Sequence, residues 1–362
     1  MQEAKLIQEQ KDMDYVFSGN IYIFQAFDVG DDINLEAIKS SNVLEQESLI
    51  LSKYFKNYHI PLAVKLPAQP DSHCVSIRIH NFGAISLTYK IPFKSTLTQV
   101  RTNLDALDNR FQEQSIKDVS AIFKKIKPFI KKSNFFSTQS SYLVIQVDTE
   151  DAFSDVVHFK QQYGSMIASM LRFETESLSE IQRDEILEFA MGYYRGDLIV
   201  IDTAASFVYD SEYTEILDFF EFANIQHLEL QYFDRVLDQL LNAMYEEKVR
   251  KLSPKAYLPF IGTLSRSPVD ELGKLRVDIS VITERLESSI KLVAEPYFSE
   301  LYALLQDKLD LKKWQEGIEK KLSIVQDIRT VFQHKVDAAR EDILSVLIAI
   351  LIMIELVVAI LK

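Results

Sequence analysis

The end of the chain constrains the fold most, because it is apolar on every face. Residues 343–361 read ILSVLIAILIMIELVVAIL and contain one charge, Glu355, and one hydroxyl group, Ser345. A helix of this length spans roughly 28 Å, close to the thickness of the hydrocarbon core of a bilayer. The run therefore predicts a transmembrane helix. A buried core helix is the alternative interpretation.

Basic residues flank this run unevenly. Arg329, Lys335 and Arg340 precede it, and Lys362 follows it. Because Lys and Arg are enriched on the cytoplasmic side of membranes, this bias predicts that residues 1–342 face the cytoplasm. We expect a tail-anchored protein, with a large cytoplasmic body on one C-terminal membrane helix, in the inner membrane if the source is bacterial.

The remaining composition is that of an ordinary folded protein, with 26% charged and 47% apolar residues. The single cysteine, Cys74, excludes a disulfide framework and a cysteine-based zinc site. The net charge is −13, from 40 basic and 53 acidic residues. Because so acidic a chain repels phosphate, we do not expect direct nucleic-acid binding.

The N-terminal part alternates between strand and helix patterns. They follow the order β-α-β-β-α-β, at residues 20–28, 33–39, 74–80, 84–91, 97–129 and 141–147. This order matches a ferredoxin-like unit, in which helices cover one face of an antiparallel sheet. An unrelated α+β arrangement with the same elements is the alternative. A second block is predicted as a helix over 178–193 and strands at 197–202 and 206–210.

From Tyr213 onward the pattern is helical. Apolar residues recur every seven positions, the period of a coiled-coil seam, at Ile216, Ala223, Leu230, Leu237 and Met244. Two similar seams begin at Leu272 and Leu311, and the last continues in phase into the apolar run. We expect Pro296 to kink or end the second helix. We also expect one unbroken helix of roughly 75 Å over 311–360.

These patterns predict an α+β fold in four parts. A flexible lead covers 1–14, and an α+β domain, built from one ferredoxin-like sandwich or from two βαβ-type halves, covers 15–210. A long-helix, coiled-coil-like region covers 211–342, and the transmembrane helix covers 343–361.

Motifs that carry chemistry are missing from the sequence. It has no G-x-x-x-x-G-K-[ST], G-x-G-x-x-G, G-x-S-x-G or H-E-x-x-H pattern, and its six histidines lie far apart. We therefore predict no catalytic residue, no cofactor and no metal site.

Two helical stretches resemble a domain-of-unknown-function family named after the eukaryotic "required for meiotic nuclear division" proteins. EILDFFEFANIQHLELQYFD, at 215–234, is similar to the family's ANxQLLELRYYD, with Gln231 and Phe233 where Arg and Tyr are usual. VITERLESSIKLVAEPYFSELYALL, at 281–305, is similar to ERxENxIKLVGDxYxARLYRL, although Ala294-Glu295-Pro296 departs from Gly-Asp. Shorter similarities lie at 81–87, at 321–328 and in the terminal run, so the chain resembles a bacterial member.

The resemblance implies a membrane-anchored protein that forms large homo-oligomers and has no known enzymatic activity. Eukaryotic relatives lie in organelle membranes, and one tethers ribosomes to the mitochondrial inner membrane. Ribosome tethering is not carried over to this chain, because its body is acidic and RNA contact would need a basic patch.

Polar residues of these stretches are our candidates for contacts between helices or subunits: Asn224, Glu229, Tyr232, Asp234, Glu284, Arg285, Lys291, Tyr297 and Glu355. Asp234 falls on one helical stripe with His227, and we expect it to meet Arg285 or Lys291 across a helix contact. The alternative is that Asp234 is a solvated surface residue.

The predicted function is a non-enzymatic, membrane-anchored, homo-oligomeric scaffold or tether. Its partners would be other copies of itself, the lipid bilayer and an unknown protein client. Seams that pair within one chain, as a helical hairpin, are the alternative to self-association. An enzyme with a site built from the 224–234 and 284–302 helices is the alternative function. Candidate residues that converge in one pocket would favour the enzyme, and residues at helix or subunit contacts the scaffold.

Overall fold

A computed structural model describes residues 15–30, 32–49, 60–67, 72–131, 133, 138–150, 153, 155–245 and 295–361. The fold is mixed α+β, with a sheet-rich N-terminal part followed by helices. The chain divides into two compact units, residues 1–232 with 285–312 and residues 233–284 with 313–362. The predicted lead at 1–14 and the seam that begins at Leu272 lie outside the described residues, and the predicted domain boundary near 210 stays a prediction.

The described strands all belong to the first unit. They are β1 (Val16–Asp28), β2 (Asp32–Ile33), β3 (Leu62–Ala63), β4 (Cys74–Ile79), β5 (Ala84–Thr96), β6 (Ile130–Lys131), β7 (Gln139–Val147), β8 (Leu198–Ile201) and β9 (Ala205–Tyr209). The described helices are α1 (Leu35–Ser41), α2 (Leu97–Ile126), α3 (Val156–Leu171), α4 (Glu180–Leu187), α5 (Tyr213–Tyr245), α6 (Pro296–Lys308) and α7 (Leu311–Ile360).

Seven strands form one sheet in the order β3-β4-β5-β1-β7-β9-β8. Neighbouring strands are antiparallel except for β7 and β9, which run parallel. The central strand, β1, is buried on both faces along its second half. Helices must therefore cover both sides of the sheet, since a buried strand needs apolar neighbours above and below it.

One face of the sheet packs against α1, α2 and α3. Ile21, Ile23 and Phe27 of β1 belong to the same buried cluster as Ile122 of α2 and Phe159 of α3. The start of α2 is fixed by a capping box, in which the side chains of Thr96 and Gln99 each accept the other's backbone N–H at 3.3 Å.

The opposite face packs against α5. Ile225 and Leu228 of α5 contact Ala26 of β1 and Ala84 of β5 in a second buried cluster. The small alanine side chains let the helix approach the sheet closely. Helix α6 in turn packs on α5, where the rings of Phe298 and Phe219 stack at 5.1 Å.

The structure confirms most of the predicted strands and the unbroken helix over 311–360. The prediction for 178–193 is wrong in extent, because α4 covers Glu180–Leu187 alone, and α3 was missed. Pro296 does not end a helix among the described residues; it lies at the start of α6, where its missing N–H costs no intrahelical hydrogen bond.

We predict that Gly19→Ala destabilises the sheet. A Cβ atom at Gly19 would lie 2.1 Å from the backbone oxygen of Gln146 on β7, which cannot move without breaking the strand pairing. The expected loss in the free energy of unfolding is about 1–3 kcal/mol, measured by urea unfolding. Gly317→Ala is the control, since nothing lies within 4 Å of a Cβ there. If the two variants are equally stable, the close approach of β1 and β7 is wrong.

Candidate functional site

Helix α5 carries its polar residues onto the sheet. Asn224 is 1% exposed there. Its Nδ2 amide donates to the carbonyl oxygens of Phe24, at 3.3 Å, and of Ser140, at 3.4 Å. Its Oδ1 accepts a 2.8 Å hydrogen bond from the Ser140 hydroxyl group. Asn224 therefore ties α5 to β1 and β7 at once.

His227 extends this hydrogen-bonded chain. Its Nδ1 lies 3.2 Å from the Ser140 hydroxyl oxygen, and its Nε2 lies 2.9 Å from the amide nitrogen of Gln231. Because Gln231 donates to Nε2, and Ser140 already donates to Asn224, the ring proton belongs on Nδ1. Burial lowers the pKa of His227, and Asp310 offsets this in part. The ring is thus a neutral donor to Ser140, the reverse of the arrangement that activates a serine nucleophile.

A buried ion-pair cluster links α5 to β4. The guanidinium group of Arg78 lies 2.9 Å from Asp218 and 2.9 Å from Glu221, and the side chains are at most 15% exposed. Burial raises the pKa of Glu221, whereas the charge of Arg78 lowers it in part. This cluster was not predicted from the sequence, where its signal was an arginine within a strand pattern.

Glu229 lies farther along α5 and is 3% exposed. Burial raises its pKa well above 4.5, and the nearby negative charge of Asp28 raises it further. Asp28 is also 3% exposed and accepts a 3.2 Å hydrogen bond from the Gly30 amide. Glu229 therefore keeps its proton to higher pH than an exposed glutamate does.

In the second unit, Asp234 joins two helices. The Lys321 ammonium group of α7 lies 2.6 Å from Asp234 and 2.6 Å from Asp238 of α5. Asp234 thus has a basic partner across a helix contact, but this partner is Lys321, which was not among the partners predicted from the sequence. Arg285 and Lys291, the partners expected for it, lie outside the described residues, as does Glu284.

The other candidates are spread through the fold. Tyr232 of α5 is partly exposed. Tyr297 lies in the first turn of α6, with its ring 5.2 Å from that of Tyr193. Burial raises the pKa of Tyr297, as do the charges of Asp210 and Asp197. Glu355 lies in α7, among exposed apolar side chains. The candidates that the structure describes therefore do not converge on one point.

Two described cavities lie away from these residues. One, of about 770 Å³, opens between α3, α4 and the segment before β8, and another, of about 250 Å³, lies beside β4. No candidate residue lines either of them within the described chain. In the larger cavity, Lys160 donates to the Leu187 carbonyl oxygen at 2.6 Å, and Arg183 pairs with Asp184 at 2.8 Å. Its main cations are therefore already engaged.

The described residues include no group of three or more histidine, cysteine or acidic side chains that could hold a metal ion. Asp28 and Glu229 are two neighbouring carboxyl groups, but among the described residues no third side chain joins them to form a metal site.

Part of α7 differs from every other described element. Glu341–Ile360 is 20 residues long, and its most apolar 18-residue stretch has a mean hydropathy of 3.1 and is 0% buried. By length and composition this helix can span a membrane. Among the described residues none buries its apolar side chains, which fits a membrane span better than a buried core helix.

Comparison with known proteins gives two matches. A family model described as the N-terminal domain of uncharacterized protein MJ0711 matches residues 18–215. Uncharacterized protein MJ0711 of Methanocaldococcus jannaschii is 25% identical over 251 residues, which cover 67% of this chain and 72% of that protein. No solved structure matches. Neither match indicates an enzymatic activity.

These matches correct the family inferred from sequence patterns. The resemblance to the "required for meiotic nuclear division" family is wrong, because both matches lead to MJ0711 and neither leads to that family. The patterns that suggested it are short strings within long helices. Ala223, Leu228 and Leu230 among them are buried, so helix packing alone accounts for their spacing.

We predict that the stability of the chain depends on pH through Glu229. The folded chain binds this proton more tightly than the unfolded chain does, so the free energy of unfolding falls as the pH rises above 4.5. Glu229→Gln removes this effect. Relative to wild type, the variant should gain about 1.4 kcal/mol per pH unit from pH 4.5 up to the folded-state pKa.

Urea unfolding from pH 4 to pH 8 measures this difference. Glu215→Gln, at a partly exposed position on the same helix, controls for the loss of one carboxyl group. A constant difference between Glu229→Gln and wild type across this range would contradict the burial of Glu229.

Proposed function

This chain belongs to the family of the MJ0711 N-terminal domain, whose model matches more than half of its length, and because that family is described by an uncharacterized protein we propose the function from the chain's own geometry. It is a non-enzymatic, membrane-anchored, homo-oligomeric scaffold or tether. The observation that carries this proposal is the helical segment Glu341–Ile360, whose most apolar 18-residue stretch has a mean hydropathy of 3.1 and is 0% buried.

The anchor follows from the cost of exposing such a helix to water. Each apolar side chain of this type gains roughly 1.5–3 kcal/mol on leaving water, and the segment holds more than a dozen. A bilayer supplies that environment over the required length. Arg329, Lys335 and Arg340 precede the span, against Lys362 after it, which supports a cytoplasmic body.

Self-association is supported by Glu355, for which the lipid tails offer no hydrogen-bonding partner. Glu355 lies within the span, where a carboxyl group costs about 2.5–3.5 kcal/mol on insertion scales. A second copy of the helix offers it a hydrogen-bonding partner that lipid tails lack. The seam residues Ile216, Ala223, Leu230 and Leu237 are buried within one chain, and so are Ile318 and Val325, so the proposed self-association rests on Glu355 and not on these seams.

The body of the scaffold is proposed to contain a ferredoxin-like unit. Its four strands are adjacent in the order β4-β5-β1-β7 and are all antiparallel. Ile38 of α1 and Ile122 of α2 belong to one core cluster, which supports helices on a common face. Strands β3, β9 and β8 would extend this unit, and α5 would cover its second face.

The alternative of an enzyme draws less support. Ser140 and His227 are within hydrogen-bonding distance, but the ring donates to the hydroxyl group, and no described cavity includes either residue. The described candidate residues serve helix and sheet contacts instead, which is what a scaffold requires.

Deleting residues 343–362 should release the chain from membranes. The full chain should stay in the membrane pellet after a high-salt wash, and the truncated chain should move to the supernatant. To exclude an effect of misfolding, Ile348→Lys with Ile352→Lys in the full chain should release it too, because each lysine adds about 2.5–3.5 kcal/mol to insertion. Ile348→Leu with Ile352→Leu is the matched control. Retention of the truncated chain would refute the anchor.

Glu355→Leu should leave membrane insertion intact and lower the mass of the detergent-solubilised assembly. Ile352→Leu, at a similar depth, should leave the mass unchanged. Light scattering corrected for bound detergent measures the protein mass against the 41.8 kDa of one chain. A wild-type mass of one chain would exclude the oligomer, and an unchanged mass in Glu355→Leu would exclude Glu355 from its assembly.

A further inference from the structure

The end of α2 carries an unusual concentration of positive charge. Residues 117–131 contain five lysines and one acidic residue, Asp118, in a chain with a net charge of −13. Asp118 is fully buried, and its carboxylate accepts hydrogen bonds from Tyr89, at 2.7 Å, and Gln114, at 2.9 Å. It therefore does not neutralise the surface lysines.

Four of these lysines are exposed and are here called the lysine patch: Lys117, Lys124, Lys125 and Lys127. Lys117 and Lys124 are seven residues apart and so lie on one stripe of α2, and the whole patch extends over roughly 15 Å of helix. No described residue forms an ion pair with any of the four. The fifth lysine, Lys131, forms an ion pair with Asp32 at 3.6 Å and is therefore not part of the patch.

The apolar neighbours of the lysine patch fix which face of α2 is turned to the core. Ile122 and Ile126 are fully buried and anchor α2 in the core, so the lysines must point away from it. Lys124 and Lys125 lie in the last helical turn, where positive charge also stabilises the carbonyl end of the helix. Lys117 lies two turns earlier, outside the reach of that effect.

We propose that the lysine patch binds anionic phospholipid headgroups on a membrane surface. The choice of lipid over other polyanions rests on the proposed membrane anchor. A cluster of lysines is the usual means by which a protein recognises the negative charge of a cytoplasmic leaflet. Pro128 is exposed and Phe129 is partly exposed beside the patch, which suits a surface that meets the boundary between headgroups and acyl chains.

Nucleic acid fits this surface less well. Single-stranded RNA is held by exposed aromatic rings on which bases stack, alongside a basic groove. The aromatic residues of this stretch are Phe123, which is buried, and Phe129, which is partly buried. The patch also contains no arginine, the residue that most often makes bidentate contacts with bases and phosphates.

Vesicle flotation tests the proposal on the full chain. The protein is inserted in nanodiscs of phosphatidylcholine and mixed with vesicles of phosphatidylcholine, with or without phosphatidylglycerol. Wild type should float with the anionic vesicles only, and less so as salt is added. Each lysine near such a surface contributes roughly a fivefold gain in affinity, so Lys124→Gln, Lys125→Gln and Lys127→Gln together should weaken binding on the order of a hundredfold.

Two further variants serve as controls. Arginine at the same three positions keeps the charge and should bind like wild type. Glutamine at Lys94, Lys312 and Lys320, three exposed lysines elsewhere, removes the same charge and should also bind like wild type. Loss of binding in this last variant would indicate an effect of total charge and would overturn the proposal.

Three other results would overturn it. They are equal flotation with neutral vesicles, unchanged flotation of the patch variant, and binding of a single-stranded RNA without binding of anionic vesicles. Failure of the anchor is distinguishable, because the chain would then be recovered outside the nanodisc fraction before any vesicle is added.

Discussion

Helix α5 is held on the sheet by buried charged and polar side chains, and the rest of the first unit depends on this contact. An unpaired charge buried between the helix and the sheet costs several kcal/mol, so it needs a partner of opposite charge within the fold. Arg78 meets two carboxylates of α5, and Asn224 bonds to two strands. These contacts fix the rotation and the position of α5 more narrowly than its apolar side chains could.

The position of α5 determines what is built on it. The sheet presents Tyr142 on this face, and α5 covers it with Phe220, whose ring stacks on that of Tyr142 at 5.7 Å. Its outer side then supplies Phe219 and Phe222 as the surface for α6. The Tyr302 hydroxyl group donates to Gln226 across the same contact. A shift of α5 by one residue would misplace all of these partners at once.

Local sequence signals predicted the elements that local forces fix. Runs of β-branched and aromatic residues located β1, the turn at residues 81–83 linked β4 to β5, and β7 was predicted at 141–147. The capping pair of Thr96 and Gln99 lies where α2 was expected to begin. The strand predicted at 84–91 was expected to stop before Pro92, but in the structure this strand, β5, continues to Thr96. Among the described residues, β4 pairs with β5 only as far as Tyr89, so Pro92 loses no hydrogen bond to that neighbour. Helix α3 was missed because its buried positions include Gly164 and Ser169, which do not read as an apolar face.

The contacts of the candidate residues depend on partners that are distant in sequence. Arg78 and Ser140 lie 140 and 84 residues from their partners in α5, and no pattern within the helix identifies them. Helical periodicity could show that Asn224 and Asp234 interrupt an apolar surface, but not that one faces a sheet and the other a lysine of α7. The same limit explains the mistaken family, since short strings in amphipathic helices recur wherever a helix is packed in this way.

The distribution of polar groups argues for a protein that holds things in place. An active site needs polar groups whose hydrogen-bonding capacity is left for a substrate, usually in a cavity that water can enter. Here Asn224 and His227 both form hydrogen bonds with Ser140, and the guanidinium group of Arg78 pairs with two carboxylates. Two surfaces of the described residues are of another kind: an apolar helix over which no described residue packs, and a cluster of lysines with no described ion pair. Under the proposed function, both would attach the folded body to a membrane.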